Sequence, residues 1–186
     1  REEINVNMDE IMDYVSGKTI LVTGGSGYIA VFIMIALLKK GYRVRATLRT
    51  MSRQEEVKKM MAQGGISDFT DFDFVQTDLT KEEGWSQAMT GVDSVIHVAS
   101  PTPLQRPDAD DLMVKMAVDG VKFVMKAAKE AGVERVVLTS ASGAVLAGHK
   151  DHPEIFTERD WTNLDAPINA YQRSKTMAET FTTCCF

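Results

Sequence analysis

Short apolar runs alternate with longer, helix-patterned segments along the chain from residue 17 onward. The runs are rich in valine, isoleucine and leucine, as are the buried strands of parallel sheets. Several of the longer segments stop at glycine, which commonly ends a helix. The strands predicted in this way span residues 18–23, 42–48, 71–76, 92–98 and 134–139, and the predicted helices span residues 28–40, 52–63, 82–89, 108–131 and 168–183.

This alternation predicts an α/β fold, a Rossmann-type doubly wound parallel sheet with helices on both faces in three αβα layers. No repeat, low-complexity tract or linker interrupts the pattern, so residues 17–186 are expected to form a single domain. Residues 1–16 lack a long periodic pattern and are interpreted as an N-terminal extension. Ser52 is expected to cap the second helix.

A glycine-rich turn connects the first predicted strand to the first predicted helix. It runs Thr23-Gly-Gly-Ser-Gly-Tyr-Ile-Ala30, with small residues at 24, 27 and 30. In this context Gly24 allows a tight turn, Gly27 lets the backbone approach a pyrophosphate, and Ala30 lets the helix pack closely on the strand. Amides at a helix N-terminus bind phosphate. The turn is therefore predicted to bind a dinucleotide rather than to have a merely structural role, and residues 17–186 are predicted to be an NAD(P)-binding domain. The turn residues expected to contact the cofactor are Gly24, Ser26, Gly27, Tyr28 and Ile29.

The end of the second predicted strand indicates which dinucleotide is used. A carboxylate there binds the adenosine ribose of NAD, whereas an arginine accommodates the 2′-phosphate of NADP. No acidic residue precedes Glu55 in this segment, which carries Arg49 and Arg53. Guanidinium groups suit phosphate, so the sequence favours NADP, bound as NADPH. The alternative is that both arginines are solvated surface charges.

The last predicted helix contains a Tyr-x-x-x-Lys element at Tyr171 and Lys175. Residues four apart share a helix face, and a nearby ammonium lowers the pKa of a tyrosine, which improves it as a proton donor. Ser140 ends the fifth strand at the sheet edge where ligands bind in open α/β folds, and it could bond the tyrosine oxygen and a substrate carbonyl. The spacing alone is common on surface helices, but this context predicts that Ser140, Tyr171 and Lys175 are catalytic.

Taken together, these segments resemble the extended short-chain dehydrogenase/reductase family. The most similar subgroup contains dihydroflavonol reductases, cinnamoyl-CoA reductases and microbial aldehyde or ketone reductases. The resemblance covers residues 17–181. Besides the glycine-rich turn, the segments that carry it are Val44–Arg49, Thr77–Leu79, Val95–Pro101, Arg135–Ser140 and Tyr171–Glu179.

The resemblance implies an oxidoreductase that reduces an aldehyde or ketone with NADPH. Tyr171 would protonate the carbonyl oxygen while hydride reaches the carbon, and Lys175 would also bind the nicotinamide ribose. Arg49 would hold the 2′-phosphate. The further cofactor contacts that the family implies are Asp78 and Leu79 against the adenine, and Val98, Ala99 and Ser100 along the cleft.

Two features depart from the family pattern. In relatives the catalytic serine is the second of the two serines in a Thr-Ser-Ser run, but Ala141 occupies that position here. Ser140 or Ser142 must then serve, and Ser140 is slightly preferred. The chain also stops soon after Lys175, where relatives continue with a region that closes over the substrate. We therefore expect a fold that lacks most of that region, keeps cofactor binding and is impaired in turnover.

Two other functions stay open. A sugar-nucleotide epimerase or dehydratase on the same fold would use bound NAD, and the arginines at 49 and 53 speak against it. A non-catalytic dinucleotide-binding module would fit the shortened C-terminal side.

Composition narrows the expected partners. The formal net charge is −5 without a basic arm, so nucleic acid is not expected. The longest apolar run, residues 28–38, is too short to span a membrane. Cys184 and Cys185 are interpreted as free thiols in a reducing compartment, which gives cytoplasm as the default location. His149 and His152 lack a third ligand, so no metal is expected. The predicted partner is a small carbonyl substrate, and homodimer formation stays open.

Overall fold

The structure is a computed structural model of the chain. It describes residues 17–101, 109–150, 155–157 and 159–183. The predicted extension at residues 1–16, the two cysteines Cys184 and Cys185, and His152 lie outside these ranges.

Strands and helices alternate along the described residues, as the sequence predicts. The strands are β1 (Thr19–Val22), β2 (Arg43–Leu48), β3 (Phe72–Gln76), β4 (Ser94–His97) and β5 (Arg135–Leu138). The helices are α1 (Tyr28–Lys39), α2 (Gln54–Gln63), α3 (Trp85–Ala88), α4 (Ala109–Glu130) and α5 (Ala170–Thr183). Short 3-10 turns occupy residues 51–53 and 142–144.

The strands form one parallel sheet in the order β3-β2-β1-β4-β5. Strand β1 pairs with β2 on one side and with β4 on the other, so the winding direction reverses at β1. In open α/β sheets the crevice at the carboxyl ends of such neighbouring strands is where ligands bind. The predicted Rossmann-type fold is confirmed, and its ligand crevice lies between the ends of β1 and β4.

Successive residues of β1 face opposite layers of the fold. Ile20 and Val22 pack in a cluster with α1 and α2. Leu21 packs with α3 and α4 on the other face of the sheet. Both faces of β1 are therefore covered, which explains why its sequence is a continuous apolar run rather than an alternating one.

Helix α5 is held against α4 by a small apolar cluster. Val121 and Met125 of α4 are buried with Ala178 of α5, and Leu138 of β5 packs against the three. This packing places the Tyr-x-x-x-Lys helix beside the end of β5, where the preferred serine lies.

The helices α2 and α3 begin later than predicted. Helix α2 follows a 3-10 turn, so Ser52 lies inside that turn and Arg53 is the N-cap residue. The prediction that Ser52 caps the helix is therefore wrong. Helix α3 covers only residues 85–88, because Gly84 adopts a left-handed φ of 89° just before it.

Helix α5 begins with a reciprocal pair of hydrogen bonds between Asn169 and Gln172. The amide of Gln172 donates to the Asn169 side chain at 2.8 Å, and the amide of Asn169 donates to the Gln172 side chain at 3.1 Å. This arrangement is a capping box, which satisfies amides that the helix itself leaves unpaired. The capping box fixes the start of α5 at Ala170, so Tyr171 lies in the first turn of the helix.

We predict that Asn169→Ala lowers the free energy of unfolding by about 1 kcal/mol, the usual cost of removing a helix cap. Asn169→Asp keeps an acceptor oxygen at the same place and should retain most of that stability. Urea unfolding of the two variants beside the parent chain measures the difference. Equal losses in both variants, or no loss in Asn169→Ala, would show that the capping box does not stabilise α5.

Candidate active site

A cleft of about 540 Å³ opens at the carboxyl edge of the sheet. Its walls come from the segments that follow β1, β2, β3 and β4, so residues distant in sequence converge there. Its volume is within the range of small-molecule and cofactor sites. All the cofactor contacts predicted outside α5 line it, namely Gly24, Ser26, Gly27, Tyr28, Ile29, Arg49, Asp78, Leu79, Val98, Ala99 and Ser100.

The glycine-rich turn has the backbone geometry that its sequence predicts. Gly24 has a φ of +71°, and a Cβ there would lie 3.1 Å from both Cα and Cβ of Ala99. Gly27 is the N-cap of α1, and the first turn of that helix contains no acidic residue. Ala30 is fully buried in the cluster that joins α1 to the sheet. The positive end of α1 therefore faces the cleft without a neutralising side chain, as an anion site requires.

Thr47 of β2 fixes the position of this turn. The Gly24 amide donates to the Thr47 hydroxyl at 3.1 Å, and the Gly25 amide donates to the Thr47 carbonyl at 2.9 Å. A Cβ at Gly25 would come within 2.9 Å of the Ala46 Cβ, so the turn lies directly on β2. The sequence shows Thr47 only as a strand residue and gives no signal for this contact.

Thr23 ties the end of β1 to the end of β4. Its hydroxyl oxygen accepts hydrogen bonds from the amides of Val98 and Ala99, each at 3.0 Å. The same oxygen lies 2.7 Å from Nδ1 of His97. Since both lone pairs of the hydroxyl are in use, its proton is donated to Nδ1.

His97 is a packed core residue and is only 1% exposed. Burial, and secondly the charge of Lys175, lower the pKa of His97 to about 4. The imidazole is therefore neutral at pH 7. Because Nδ1 accepts from Thr23, its proton is on Nε2.

Arg49 and Arg53 both line the cleft beyond β2. Arg53 donates to the Ser26 hydroxyl at 2.9 Å and binds Glu56 through Nε at 2.8 Å and Nη2 at 2.7 Å. The hydrogen bond to Glu56 is the main cause that raises the pKa of Arg53. Among the described residues, the Arg49 guanidinium has no hydrogen-bond partner and interacts electrostatically with Asp78. Both arginines lie where a phosphate at the end of β2 would meet them.

Asp78 is fixed in the loop after β3 by Thr80, whose amide and hydroxyl each donate to its carboxylate at 2.9 Å. Burial opposes ionisation of Asp78, but these hydrogen bonds and the charges of Arg49 and Lys81 together lower its pKa. The loop is also anchored by Trp85, whose indole N–H donates to the Lys81 carbonyl at 3.0 Å. Asp78 thus presents a stable negative charge in the cleft wall.

The Tyr171 and Lys175 side chains are neighbours on α5. The Lys175 Nζ lies 5.7 Å from the centre of the Tyr171 ring. Lys175 is 9% exposed, whereas Tyr171 is 39% exposed. Burial lowers the pKa of the Lys175 ammonium, and the Glu179 carboxylate one turn further along opposes this shift. The helix therefore places a buried amine beside a phenol that solvent can reach.

A smaller cavity of about 20 Å³ adjoins the cleft. Ser140 and Lys175 line it together with His97, and Leu79 and Ala99 line both this cavity and the cleft. The structure therefore brings two of the three predicted catalytic residues to the edge of the predicted cofactor site. Tyr171 lines neither space.

Ser140 donates its hydroxyl proton to the Glu179 carboxylate. Within the part of the chain that the structure describes, it makes no hydrogen bond to Tyr171, in contrast to the pairing that the sequence suggested. An ionised carboxylate is a stronger acceptor than a phenol, and α5 brings Glu179 to the end of β5. The alternative serine, Ser142, is exposed in the 3-10 turn.

Some lining residues of the cleft have no signal in the sequence. Met116 of α4 reaches it, yet a helical pattern reveals only which face is apolar. Trp85 also lines it, and a tryptophan is not diagnostic of a cofactor site.

His149 contacts the Val145 carbonyl through Nε2 at 3.0 Å and lies 5.0 Å from the ring of Phe156. No group of three or more histidine, cysteine or acidic residues suited to a metal ion occurs in the described ranges. No described helix combines the length and apolarity needed to cross a membrane.

A family model for the 3-beta hydroxysteroid dehydrogenase/isomerase family matches residues 21–183. The chain belongs to this family. The resemblance to dihydroflavonol and cinnamoyl-CoA reductases inferred from the sequence is confirmed, because curated reductases of both kinds align with most of the chain.

Three curated relatives illustrate the similarity. An anthocyanidin reductase of Vitis vinifera is 35% identical over 170 residues, covering 87% of the chain and 49% of the relative. Cinnamoyl-CoA reductase 1 of Arabidopsis thaliana is 39% identical over 151 residues, covering 81% of the chain and 42% of the relative. Dihydroflavonol 4-reductase of Zea mays is 34% identical over 168 residues, covering 87% of the chain and 46% of the relative. The chain spans about half the length of the curated relatives it matches.

Several solved structures share the fold of the chain. Yeast methylglyoxal/isovaleraldehyde reductase Gre2, complexed with NADPH, gives a TM-score of 0.74 at 29% identity, over 87% of the chain and 51% of Gre2. Vestitone reductase from alfalfa gives a TM-score of 0.72 at 26% identity, over 90% of the chain and 53% of the reductase. The epimerase Mth375 from Methanothermobacter thermautotrophicus gives a TM-score of 0.76 at 25% identity, over 98% of the chain and 51% of the epimerase.

We predict that the stability of the chain falls on acidification between pH 6.5 and about 4 because of His97. Its pKa is about 4 in the folded state against the ordinary 6.5 when unfolded, so the unfolded state binds a proton more readily in this window. The free energy of unfolding should fall by up to about 1.4 kcal/mol per pH unit there, roughly 3 kcal/mol in all.

The measurement is urea unfolding of the parent chain and of His97→Asn across this pH range. Subtracting the two curves removes the acidic groups that both proteins share. The parent should lose more stability than the variant as the pH falls. Parallel curves would contradict a neutral, buried His97.

Proposed function

We propose that the chain supplies the dinucleotide-binding and acid–base residues of an NADPH-dependent reductase of aldehydes or ketones, with residues 17–186 forming one domain. The observation that carries the proposal is one continuous site. Its cleft combines an uncovered helix N-terminus with two arginines, and the cavity that adjoins it holds Ser140 and Lys175. The reductases among the relatives, and Gre2 complexed with NADPH, support the same assignment.

The residues of the cleft fit such a cofactor in chemistry and order. The turn from Gly24 to Ile29 would bind the diphosphate through backbone amides. Arg49 and Arg53 would bind the 2′-phosphate, because guanidinium groups form paired hydrogen bonds with phosphate oxygens. The remaining proposed contacts are Asp78 and Leu79 near the adenine, and Val98, Ala99 and Ser100 along the cleft.

The proposed chemistry is transfer of hydride and a proton to a carbonyl group. The reduced nicotinamide supplies hydride to the carbonyl carbon when it is bound. Tyr171 donates its phenolic proton to the carbonyl oxygen, which yields the alcohol and a phenolate that solvent reprotonates. The Lys175 ammonium stabilises that phenolate and holds the nicotinamide ribose. Ser140 orients the carbonyl oxygen by donating a hydrogen bond to it. To do so, its hydroxyl must first break the hydrogen bond to Glu179.

An NAD-dependent epimerase or dehydratase is the second candidate, since the epimerase Mth375 shares the fold. The end of β2 argues against it, because that segment offers Arg49 and Arg53 instead of a carboxylate. The acid that does line the cleft, Asp78, follows β3 and is bonded to Thr80.

The first prediction from this proposal concerns cofactor choice. The chain should bind NADPH more tightly than NADH in a fluorescence titration. Arg49→Ala should weaken NADPH binding by roughly 10- to 100-fold, the value of a hydrogen bond to a charged group, and leave NADH binding nearly unchanged. Arg43→Ala is the matched control, because Arg43 is an exposed residue paired with Asp71. Equal effects of Arg49→Ala on both dinucleotides would contradict a 2′-phosphate contact.

The second prediction concerns the proton donor. Tyr171→Phe should reduce aldehyde-dependent NADPH consumption by about 100-fold or more, the typical share of a general acid, with an unchanged NADPH dissociation constant. Tyr42→Phe, which alters a tyrosine outside the cleft, should retain turnover. Full activity of Tyr171→Phe would refute the assigned role. Tight NADPH binding without consumption of any aldehyde or ketone by the parent would favour the non-catalytic module.

A further inference from the structure

His97 has an unsatisfied donor in the middle of the molecule. Its Nε2 is the one fully buried side-chain polar atom without a hydrogen-bond partner among the residues that the structure describes. An orphaned buried donor is costly, and each one in a native protein calls for a partner such as an ordered water. The Nδ1 atom on the other side of the ring is already bound to Thr23 at 2.7 Å.

The space next to His97 is suited to a single water molecule. The cavity measures about 20 Å³, slightly more than one water requires. Such a water also needs two to four polar partners. The lining side chains that carry polar atoms are His97, Ser100, Thr139, Ser140 and Lys175.

We propose that His97 is a positioning residue whose Nε2–H donates to one enclosed water, and that this water joins it to Lys175. The water would accept from both groups and donate to an oxygen of the lining, such as the Ser140 hydroxyl. The neutral imidazole then spans the site, with Thr23 and the amides of the β4 turn on one side and the α5 lysine on the other. The proposal rests on the proposed function in giving Lys175 its role.

Two substitutions of His97 separate the two sides of the ring. Asparagine places its amide near the position of Nδ1, so His97→Asn keeps an acceptor for Thr23 and loses the Nε2–H donor. Glutamine places its amide near the position of Nε2, so His97→Gln keeps a donor there and loses the acceptor for Thr23. A residue that only fills space would not distinguish these variants.

The binding probe is adenosine 2′,5′-bisphosphate, which lacks the nicotinamide and tests only the side of the glycine-rich turn. His97→Gln should weaken its binding by up to about 10-fold, and His97→Asn by no more than about 3-fold. Thr23→Val removes the hydroxyl itself, with both amide contacts, and should weaken binding at least as much as His97→Gln. The 13Cε shift of Lys175, recorded by NMR, should change in His97→Asn and stay near the parent value in His97→Gln.

Two measurements on the parent chain need no variant. The 15N shifts of His97 should show the proton on Nε2, and a crystal structure should contain a water within hydrogen-bond distance of Nε2. A proton on Nδ1, a dry cavity, or parallel losses in both variants would overturn the proposal. Failure of the parent to bind either NADPH or the bisphosphate would refute the proposed function, while the tautomer, the water and the Lys175 shift would still decide the role of His97.

Discussion

One threonine hydroxyl joins the two strand ends between which the candidate site lies. Thr23 directly follows β1, and its hydroxyl accepts hydrogen bonds from the amides of Val98 and Ala99 after β4. The same hydroxyl contacts His97, the last residue of β4. Gly24 follows with a φ of +71°, and a Cβ there would lie only 3.1 Å from Ala99. Buried polar contacts therefore join the two strand ends beside the cleft, at the point where the sheet reverses its winding direction.

Positive charge is distributed along this site in a way that suits a long anionic ligand. The helix N-terminus after Gly27 faces the middle of the cleft, and Arg49 and Arg53 line its β2 side. Lys175 lies beyond the other side, in the adjoining cavity and largely removed from water. Burial makes its interactions stronger than those of an exposed lysine, because little solvent screens them. A dinucleotide could contact several of these groups at once, which a single phosphate could not.

The sequence predicted the parts of the molecule that local pattern determines. Apolar runs located the five strands of the described residues, and the glycine-rich turn located residues that line the cleft, because small residues there have a direct backbone cause. The Tyr171–Lys175 pairing followed from helix periodicity. The bond between Ser140 and Glu179 could not be predicted, because it depends on how α5 packs beside β5. Ser52 failed as a cap because the chain forms a 3-10 turn before α2.

The proposed function requires NADPH to bind in the cleft at the ends of β1, β2, β3 and β4. The most direct test is a titration of the 15N-labelled chain with NADPH, followed by amide NMR. Saturable shifts are expected at Gly24, Gly27, Ile29 and Arg49, with smaller shifts for NADH at Arg49. Unchanged amides at millimolar NADPH, or shifts confined to residues outside the cleft, would contradict it.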